Sequence, residues 1–472
     1  MRNIALFSIP AHGHTNPMIP VAAELVKRGN KVRFYSFDMF EEKIKASGAE
    51  FVSCSKFLPE LSNKENENLK KSSNTEMTIQ DIRITIAMND FIHEEFESFK
   101  PDVVYTDAVC FWGKLNAWKH NVPMVVSVST FAFNQMSSSY MKNSPAELAD
   151  MIFGLPKISK ELKTLEPYGY HVKSALKLVT NDNSTDSVVY TSYNFQPCAE
   201  SFTDHYLFAG PSVFSKAEPA KNNKRPLVYI SLGTVVNDKP DFYAKCAEAF
   251  RNENVDVIIS CGKHVDPASL GTLPENIKVY QYVDQLDILS RANAFLTHCG
   301  MNSTSESLYM ATPMVLYPQT AEQHAVARRV TEINAGAMLT DDSAEGIKSA
   351  VQNILKNKSY AEAAAECSRD FRTSPGVSAA AEFIENAPHT SNGVDLLKEY
   401  NSVIARSQII FWIFAIIAIV LFGIFVTWKY AWVIGLLAGI FARPIAKAVS
   451  DRYYAKRVSE IRKNKAAENR NK

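Results

Sequence analysis

Residues 281–330 read QYVDQLDILSRANAFLTHCGMNSTSESLYMATPMVLYPQTAEQHAVARRV, and the order of elements in this stretch decides the fold class. An apolar run, AFLT, ends at His298-Cys299-Gly300, and a helical pattern starts near Asn302-Ser303. A second apolar run, PMVLYP (313–318), follows that helix. Strand, tight glycine loop, helix and strand make the repeating unit of a parallel α/β sheet. At such a loop the backbone N–H groups and the positive end of the helix dipole converge on one point. That is an anion site, and Gly300 lets a phosphate approach the backbone closely. His298, Asn302 and Ser303 add side-chain donors, while Glu306, one turn on, suits ribose hydroxyls. Taken alone, Asn302 to Glu306 reads equally well as an ordinary N-capped helix with a capping-box acid.

Working outward, the same alternation continues on both sides. LVYISLG (227–233), VDVIISCG (255–262) and IKVYQYV (277–283) read as further strands of this series. An earlier series holds IALFSI (4–9), KVRFYSF (31–37), PDVVYTD (101–107) and VPMVVSVS (122–129). A helix is expected from about Asn16 to Arg28, stopped by Gly29. A polar stretch at roughly 60–80 has no apolar period and reads as a surface loop. VFSKAEPAKNNKRP (213–226) has the composition of an interdomain linker. The expected fold is α/β, of two Rossmann-like doubly wound domains facing a cleft. Residues 1–212 form the first, and residues 227–390, with a return helix, the second. Ligands in such sheets sit beyond the carboxyl ends of the strands.

Bulk composition narrows the function. A net charge of +1, with no long basic block in the first 390 residues, excludes a nucleic-acid partner. The 7 cysteines are scattered without a CxxC pair, which speaks against a disulfide framework or zinc site and for a reducing compartment. RNIALFSIP stops at Pro10 without a small-residue cleavage site, so it reads as a buried strand rather than a signal peptide.

The C-terminal part is different in kind. Ile409 to Thr427 carries no charge over about 19 residues, enough to cross a bilayer core of roughly 30 Å. Trp412 and Trp428 lie near its ends. Tyr430 to Ala442 is shorter and ends at Arg443-Pro444. Arg443, Lys447, Arg452, Lys456 and Arg457 follow and favour the cytosolic side. A membrane segment at 404–446 that turns back as a hairpin or re-entrant loop, with a basic tail at 447–472, keeps the two α/β domains cytosolic. The sequon Asn302-Ser303-Thr304 agrees, since a glycan there would block the anion site.

The stretch 281–330 resembles the nucleotide-sugar signature of the UDP-glycosyltransferase family, and is closest in pattern to the bacterial macrolide-type glycosyltransferases. The matching elements are Tyr282-Val283-Asp284-Gln285, His298 to Ser303, Glu306, Ala311-Thr312-Pro313 and Glu322-Gln323. The resemblance covers about residues 1–390 and implies a GT-B fold. It implies that Tyr282 stacks on uracil, with Gln285 beside the base and ribose. His298, Gly300, Asn302 and Ser303 would hold the diphosphate, Glu306 the ribose, and Glu322 and Gln323 the sugar hydroxyls. Ser231 and Thr234 of SLGT match the family's phosphate-side loop. Tyr282 stands for the usual Trp, Asp284 for the usual Pro and Ala311 for the usual Gly, departures that bear on sugar identity.

Moving a sugar to a hydroxyl needs a base for the acceptor proton, and a His held by a carboxylate is suited to it. His14, in the loop after the first strand, and Asp107, at the end of PDVVYTD, are the candidates. In isolation a loop His is more often structural, and a strand-ending Asp is often a helix cap. AHGHTNPMIPVAAELVKRGNKV is similar to the family's N-terminal motif, in which Gly13-His14 supplies the base, and Asp107 matches the dyad acid. The resemblance implies an inverting displacement from a UDP-sugar, commonly UDP-glucose, with no cofactor. No DxD-type acidic pair lies near the phosphate site, so no metal is expected. Phe131, Phe133 and Met136, with Tyr140 and Met141, are candidates for an apolar acceptor wall, each also readable as core. Beside a membrane segment this suggests a small lipophilic acceptor and a role in detoxification. The competing reading is a silent UDP-sugar-binding membrane protein that recruits a partner, which retention of both His14 and Asp107 disfavours.

Overall fold

The computed structural model describes residues 1–58, 73–172, 183–213, 217–234, 237–391 and 394–470. The chain forms two compact units, residues 1–197 with 205–389, and residues 198–204 with 390–472.

The first unit contains two sheets whose strands are all parallel. One is built from β1 (Asn3–Phe7), β2 (Lys31–Ser36), β3 (Glu50–Ser53), β4 (Val103–Asp107), β5 (Met124–Val128), β6 (Ser187–Val189) and β7 (Tyr206–Phe208). Its order is β3-β2-β1-β4-β5-β6-β7. The other holds β8 (Leu227–Ser231), β9 (Asp256–Ser260), β10 (Ile277–Tyr280), β11 (Ala294–Thr297), β12 (Met314–Leu316) and β13 (Gly336–Met338), in the order β10-β9-β8-β11-β12-β13. Helices cover both faces of such sheets, so their strands are continuous apolar runs rather than alternating ones. Ile4 to Phe7 are fully buried, as are Val103 to Tyr105.

Strand order reverses between β1 and β4 in one sheet and between β8 and β11 in the other. A switch point opens a crevice at the carboxyl ends of the two strands. The carboxyl ends of these four strands, and the loops and helix starts that follow them, carry His14, Asp107, Ser231 to Thr234, and His298 to Ser303. Topology alone therefore gathers the expected site residues at two crevices.

Two expectations need correction. The helix expected from Asn16 spans His12–Lys27, so His14 lies in its first turn and not in a loop. Pro17 and Pro20 lie inside this helix. Pro17 has no N–H to give the carbonyl four residues back. That carbonyl, on Gly13, instead accepts from Asn302 Nδ2 at 3.5 Å. The loop expected at 60–80 ends sooner, because a helix spans Asn74–Ala87, capped by Ser73 Oγ accepting from Glu76 N. Residues 59–72 of that loop lie outside the described residues.

The linker is not free either. Lys221 Nζ donates to the carbonyls of Leu289 and Ala292 at 2.8 and 2.6 Å, fastening the segment beneath the second sheet. Burial lowers the Lys221 ammonium to about 7. The return helix, Gly376–Glu385, buries Ala380, Ala381 and Ile384 in the core of the first sheet rather than the second. Arg28 ties it there by donating to Ser378 O and Glu385 Oε2.

The second unit is dominated by two helices, Leu396–Phe425 and Ala431–Arg470, joined by a short turn at Trp428–Tyr430. Both are long and apolar enough to cross a membrane. Tyr400 Oη donates to Asp451 and Tyr453 Oη to Glu399, so the helices run antiparallel.

Candidate active site

The dyad forms. His14 Nδ1 lies 2.9 Å from Asp107 Oδ2. Asp107 is fully buried at the end of β4, and its Oδ1 accepts from Val109 N at 3.0 Å. Each carboxylate oxygen thus has a fixed donor. A column of buried hydroxyls anchors the start of the helix that bears His14. Thr15 Oγ1 donates to Ile9 O at 2.9 Å and lies 3.0 Å from Ser8 Oγ, and Ser8 meets Ser36 Oγ at 2.8 Å. Ser129 Oγ, at the end of β5, stands 3.2 Å from His14 Nδ1. Sequence reasoning missed Ser129, whose only signal was its place after a strand.

Burial disfavours the His14 imidazolium. The charge and hydrogen bond of Asp107 outweigh burial, with smaller help from Glu322 and Asp81, and raise His14 to about 9. Glu322, whose charge acts on His14, stands in the first turn of the helix Ala321–Glu332. Gln323 is occupied locally, its Oε1 accepting from Gln319 N at 2.8 Å.

The donor side is built around His298. Gly233 has a positive φ of +76°, and a Cβ there would meet His298 Cε1 at 2.5 Å. A Cβ on Gly300 would meet His298 Nε2 at 2.4 Å. Two glycines thus form the slot that admits the ring. Burial lowers His298 to about 4, with a hydrogen bond at the Ser231 backbone only partly opposing it. The ring is neutral at pH 7, so it offers one N–H rather than a full positive charge. Gly300 is the N-cap of the helix Met301–Tyr309, whose first turn carries Asn302 and Ser303. Ser231 Oγ accepts from Gly233 N at 3.3 Å, and Thr234 is exposed three residues beyond β8.

Gln285 joins the two halves of the expected nucleotide site. Its Nε2 donates to Glu306 Oε2 at 2.6 Å and to Ser303 Oγ at 3.2 Å, while its Oε1 accepts from Tyr229 Oη. Burial raises the Glu306 carboxyl and Asp284 adds to it, with the Gln285 hydrogen bond opposing. Tyr282 is 63% exposed, as a stacking platform must be. Substituting Gly300 by Ala is expected to weaken UDP-sugar binding at least tenfold without loss of fold. The added methyl must push His298 or the loop by about 1 Å, a shift that costs up to roughly 100-fold in a preorganised site. Calorimetric titration with UDP-sugar, beside a melting curve, checks this.

The residues expected to form an acceptor wall differ in their surroundings. Phe131 is buried in the core, against Phe195 and among Tyr229 and Leu308, and is removed from the wall. Phe133 and Met136 are half-buried and stay candidates. Tyr140 is engaged with the helix Ala321–Glu332, donating to Glu332 and covered by Arg328. A further exposed apolar surface lies on the helix Pro145–Leu162, where Leu148, Met151, Ile152 and Leu155 are exposed. Their spacing puts them on one face. That period, behind the capping box at Ser144 and Glu147, was the signal available in the sequence.

Solved structures define the class of this architecture. The calicheamicin glycosyltransferase CalG4 superposes with a TM-score of 0.67 at 26% identity, covering 82% of this chain and 100% of its own. The fold is GT-B, and the protein is a glycosyltransferase. A family model described as UDP-glucoronosyl and UDP-glucosyl transferase matches residues 216–377. The uncharacterized UDP-glucosyltransferase YojK of Bacillus subtilis (strain 168) is 32% identical over 402 residues, 82% of this chain and 98% of the relative. The oleandomycin glycosyltransferase of Streptomyces antibioticus is 29% identical over 72% of this chain and 80% of its own length. By that identity and coverage the chain belongs to the UDP-glycosyltransferase family.

Proposed function

We propose that the protein transfers a hexose from a UDP-sugar, UDP-glucose first among them, to a hydroxyl of a small lipophilic acceptor, with inversion at the anomeric carbon. The observation that carries this reading is the 2.9 Å contact between His14 Nδ1 and buried Asp107 at the β1/β4 switch point. With Nδ1 engaged, Nε2 is the nitrogen that takes the acceptor proton. The acceptor oxygen then bonds to the anomeric carbon while the bond from that carbon to the UDP oxygen breaks. The departing diphosphate is met by the N-terminus of the helix Met301–Tyr309 and by the His298 N–H. No metal enters the step. Support for a membrane-anchored, cytosol-facing enzyme comes from the two long apolar C-terminal helices and the basic residues after Ala442.

The test is UDP release in excess chelator, with UDP-glucose and a panel of phenolic, sterol and glycerolipid acceptors. Acceptor-dependent release is expected, favouring lipophilic members of the panel. Binding of UDP-glucose without turnover on any acceptor would instead support the silent, partner-recruiting reading. Ile152→Glu tests the acceptor side. Its exposed position leaves the fold intact, and the acceptor KM is expected to rise about 10-fold, the cost of roughly one lost apolar contact of 1–2 kcal/mol, with the UDP-glucose KM unchanged.

A further inference from the structure

The apolar surface of the second unit has a definite height. Tyr400 pairs with Asp451, Glu399 with Tyr453 and Arg457, and a Cβ on Gly423 would meet the Trp428 ring at 2.5 Å. These contacts set one register along the whole hairpin. In that register Arg443 lies level with Gln408, and Lys447 with Ile404. Arg406, Arg443 and Lys447, all exposed, therefore form a collar of positive charge at one level. At the other end Trp428, Tyr430 and Trp432 are 62%, 52% and 64% exposed and ring the turn.

Between collar and turn the outward surface is apolar on both helices. Ile409, Ile413, Phe414, Ile416, Ile417, Leu421 and Ile424 are exposed on the first, with Leu436, Leu437, Ile440 and Phe441 on the second. The seam between the helices is made of small residues instead. Ala438, Ala442, Ala446 and Ser450 recur every fourth position and are buried, with Ala415 and Gly423 on the first helix. Small residues inside and large apolar ones outside reverse the pattern of a soluble hairpin and suit a lipid surround.

Ile409 to Phe425 rises about 25 Å at 1.5 Å per residue, close to the roughly 30 Å hydrocarbon thickness and well beyond one leaflet. Aromatic side chains collect at headgroup level, and cations at the cytosolic end attract anionic headgroups. We infer that the hairpin crosses the full bilayer, with its aromatic turn at the face opposite the hairpin's two ends, rather than entering and leaving one leaflet. This rests on the membrane-anchored reading above.

The experiment introduces Lys429→Cys in the turn and, separately, Ala455→Cys in the basic arm, each in the full chain expressed in spheroplasts. Six of the seven native cysteines are buried and Cys198 is half-buried, so the unmodified chain serves as the background. A membrane-impermeant maleimide is applied before and after lysis, and each variant is also washed with alkaline carbonate. Labelling at 429 from outside, with labelling at 455 only after lysis, is the expected result. Labelling of both only after lysis, in a carbonate-resistant protein, overturns full crossing and leaves the anchor standing. Labelling of 455 from outside overturns the orientation. Release into the carbonate supernatant, as when a second copy covers the apolar surface, sinks the membrane reading itself.

Discussion

Replacing His14 by Ala is expected to lower kcat for acceptor glycosylation by about 10²–10⁴-fold, the usual worth of a positioned base, while leaving UDP-sugar affinity unchanged. The two effects separate because the base and the donor slot belong to different sheets. His14 stands on the helix that follows β1, whereas the nucleotide is expected on the loops after β8 and β11. Among the described residues, the 3.5 Å contact from Asn302 Nδ2 to the Gly13 carbonyl links the two sides, and it uses backbone that the substitution keeps. Cleavage of UDP-glucose to water should fall less than transfer to an acceptor, since bulk water needs no fixed partner for its proton. Single-turnover transfer with radiolabelled UDP-glucose, beside calorimetric binding, reads both quantities. A variant that binds UDP-glucose normally and still transfers at the parental rate would remove His14 from the chemistry.

How far the site was legible follows from where its chemistry is written. Most of the expected donor half lies within the 282–323 stretch, with Ser231 to Thr234 added from the loop after β8, so its residues are close together in sequence. The slot around His298 needs Gly233 and Gly300 because any Cβ would collide with the ring, so the sequence could hardly hide it. The acceptor half is spread over elements far apart in sequence. Ser129 reaches His14 only through the β4–β5 pairing, which no local pattern announces. Phe131 looked like a wall residue because aromatics are ambiguous between pocket and core. Its burial against Phe195 is a tertiary fact. The strands β3, β6, β7 and β13 span three or four residues each, too short to carry a period. The helix Asn74–Ala87 was cut short in the reading for a different reason. Its threonines and isoleucines have weak helix propensity, and Thr75, Thr78 and Thr85 are instead buried by tertiary contacts.

Asp107→Asn should change both the height and the position of the pH profile, in opposite senses. The kcat/KM profile reports the free enzyme, in which His14 is raised to about 9. The base form is the deprotonated one, so parental kcat/KM should climb tenfold per pH unit below that value and level off above it. At pH 7 only about 1% of His14 is then in the working form. The asparagine keeps the shape of the side chain but removes the charge that outweighs burial. The limb therefore moves down toward the ordinary histidine value of about 6.5, with Glu322 still holding it from falling further. The plateau drops by about 10²–10⁴-fold, because the imidazolium formed in transfer has lost its counter-charge and its enforced tautomer. Above pH 9 the full loss should be seen. At pH 7 the gain in neutral imidazole offsets up to about 100-fold of it, so the gap between parent and variant narrows as pH falls. Stability moves with the same linkage. A raised histidine stabilises the fold fully below its unfolded value of about 6.5, and that contribution disappears as pH rises through about 9. The melting-temperature advantage of the parent over Asp107→Asn should accordingly shrink between pH 6 and pH 10. A parental kcat/KM that is flat from pH 6 to pH 10 would mean that the imidazole paired with Asp107 is not the group that takes the acceptor proton.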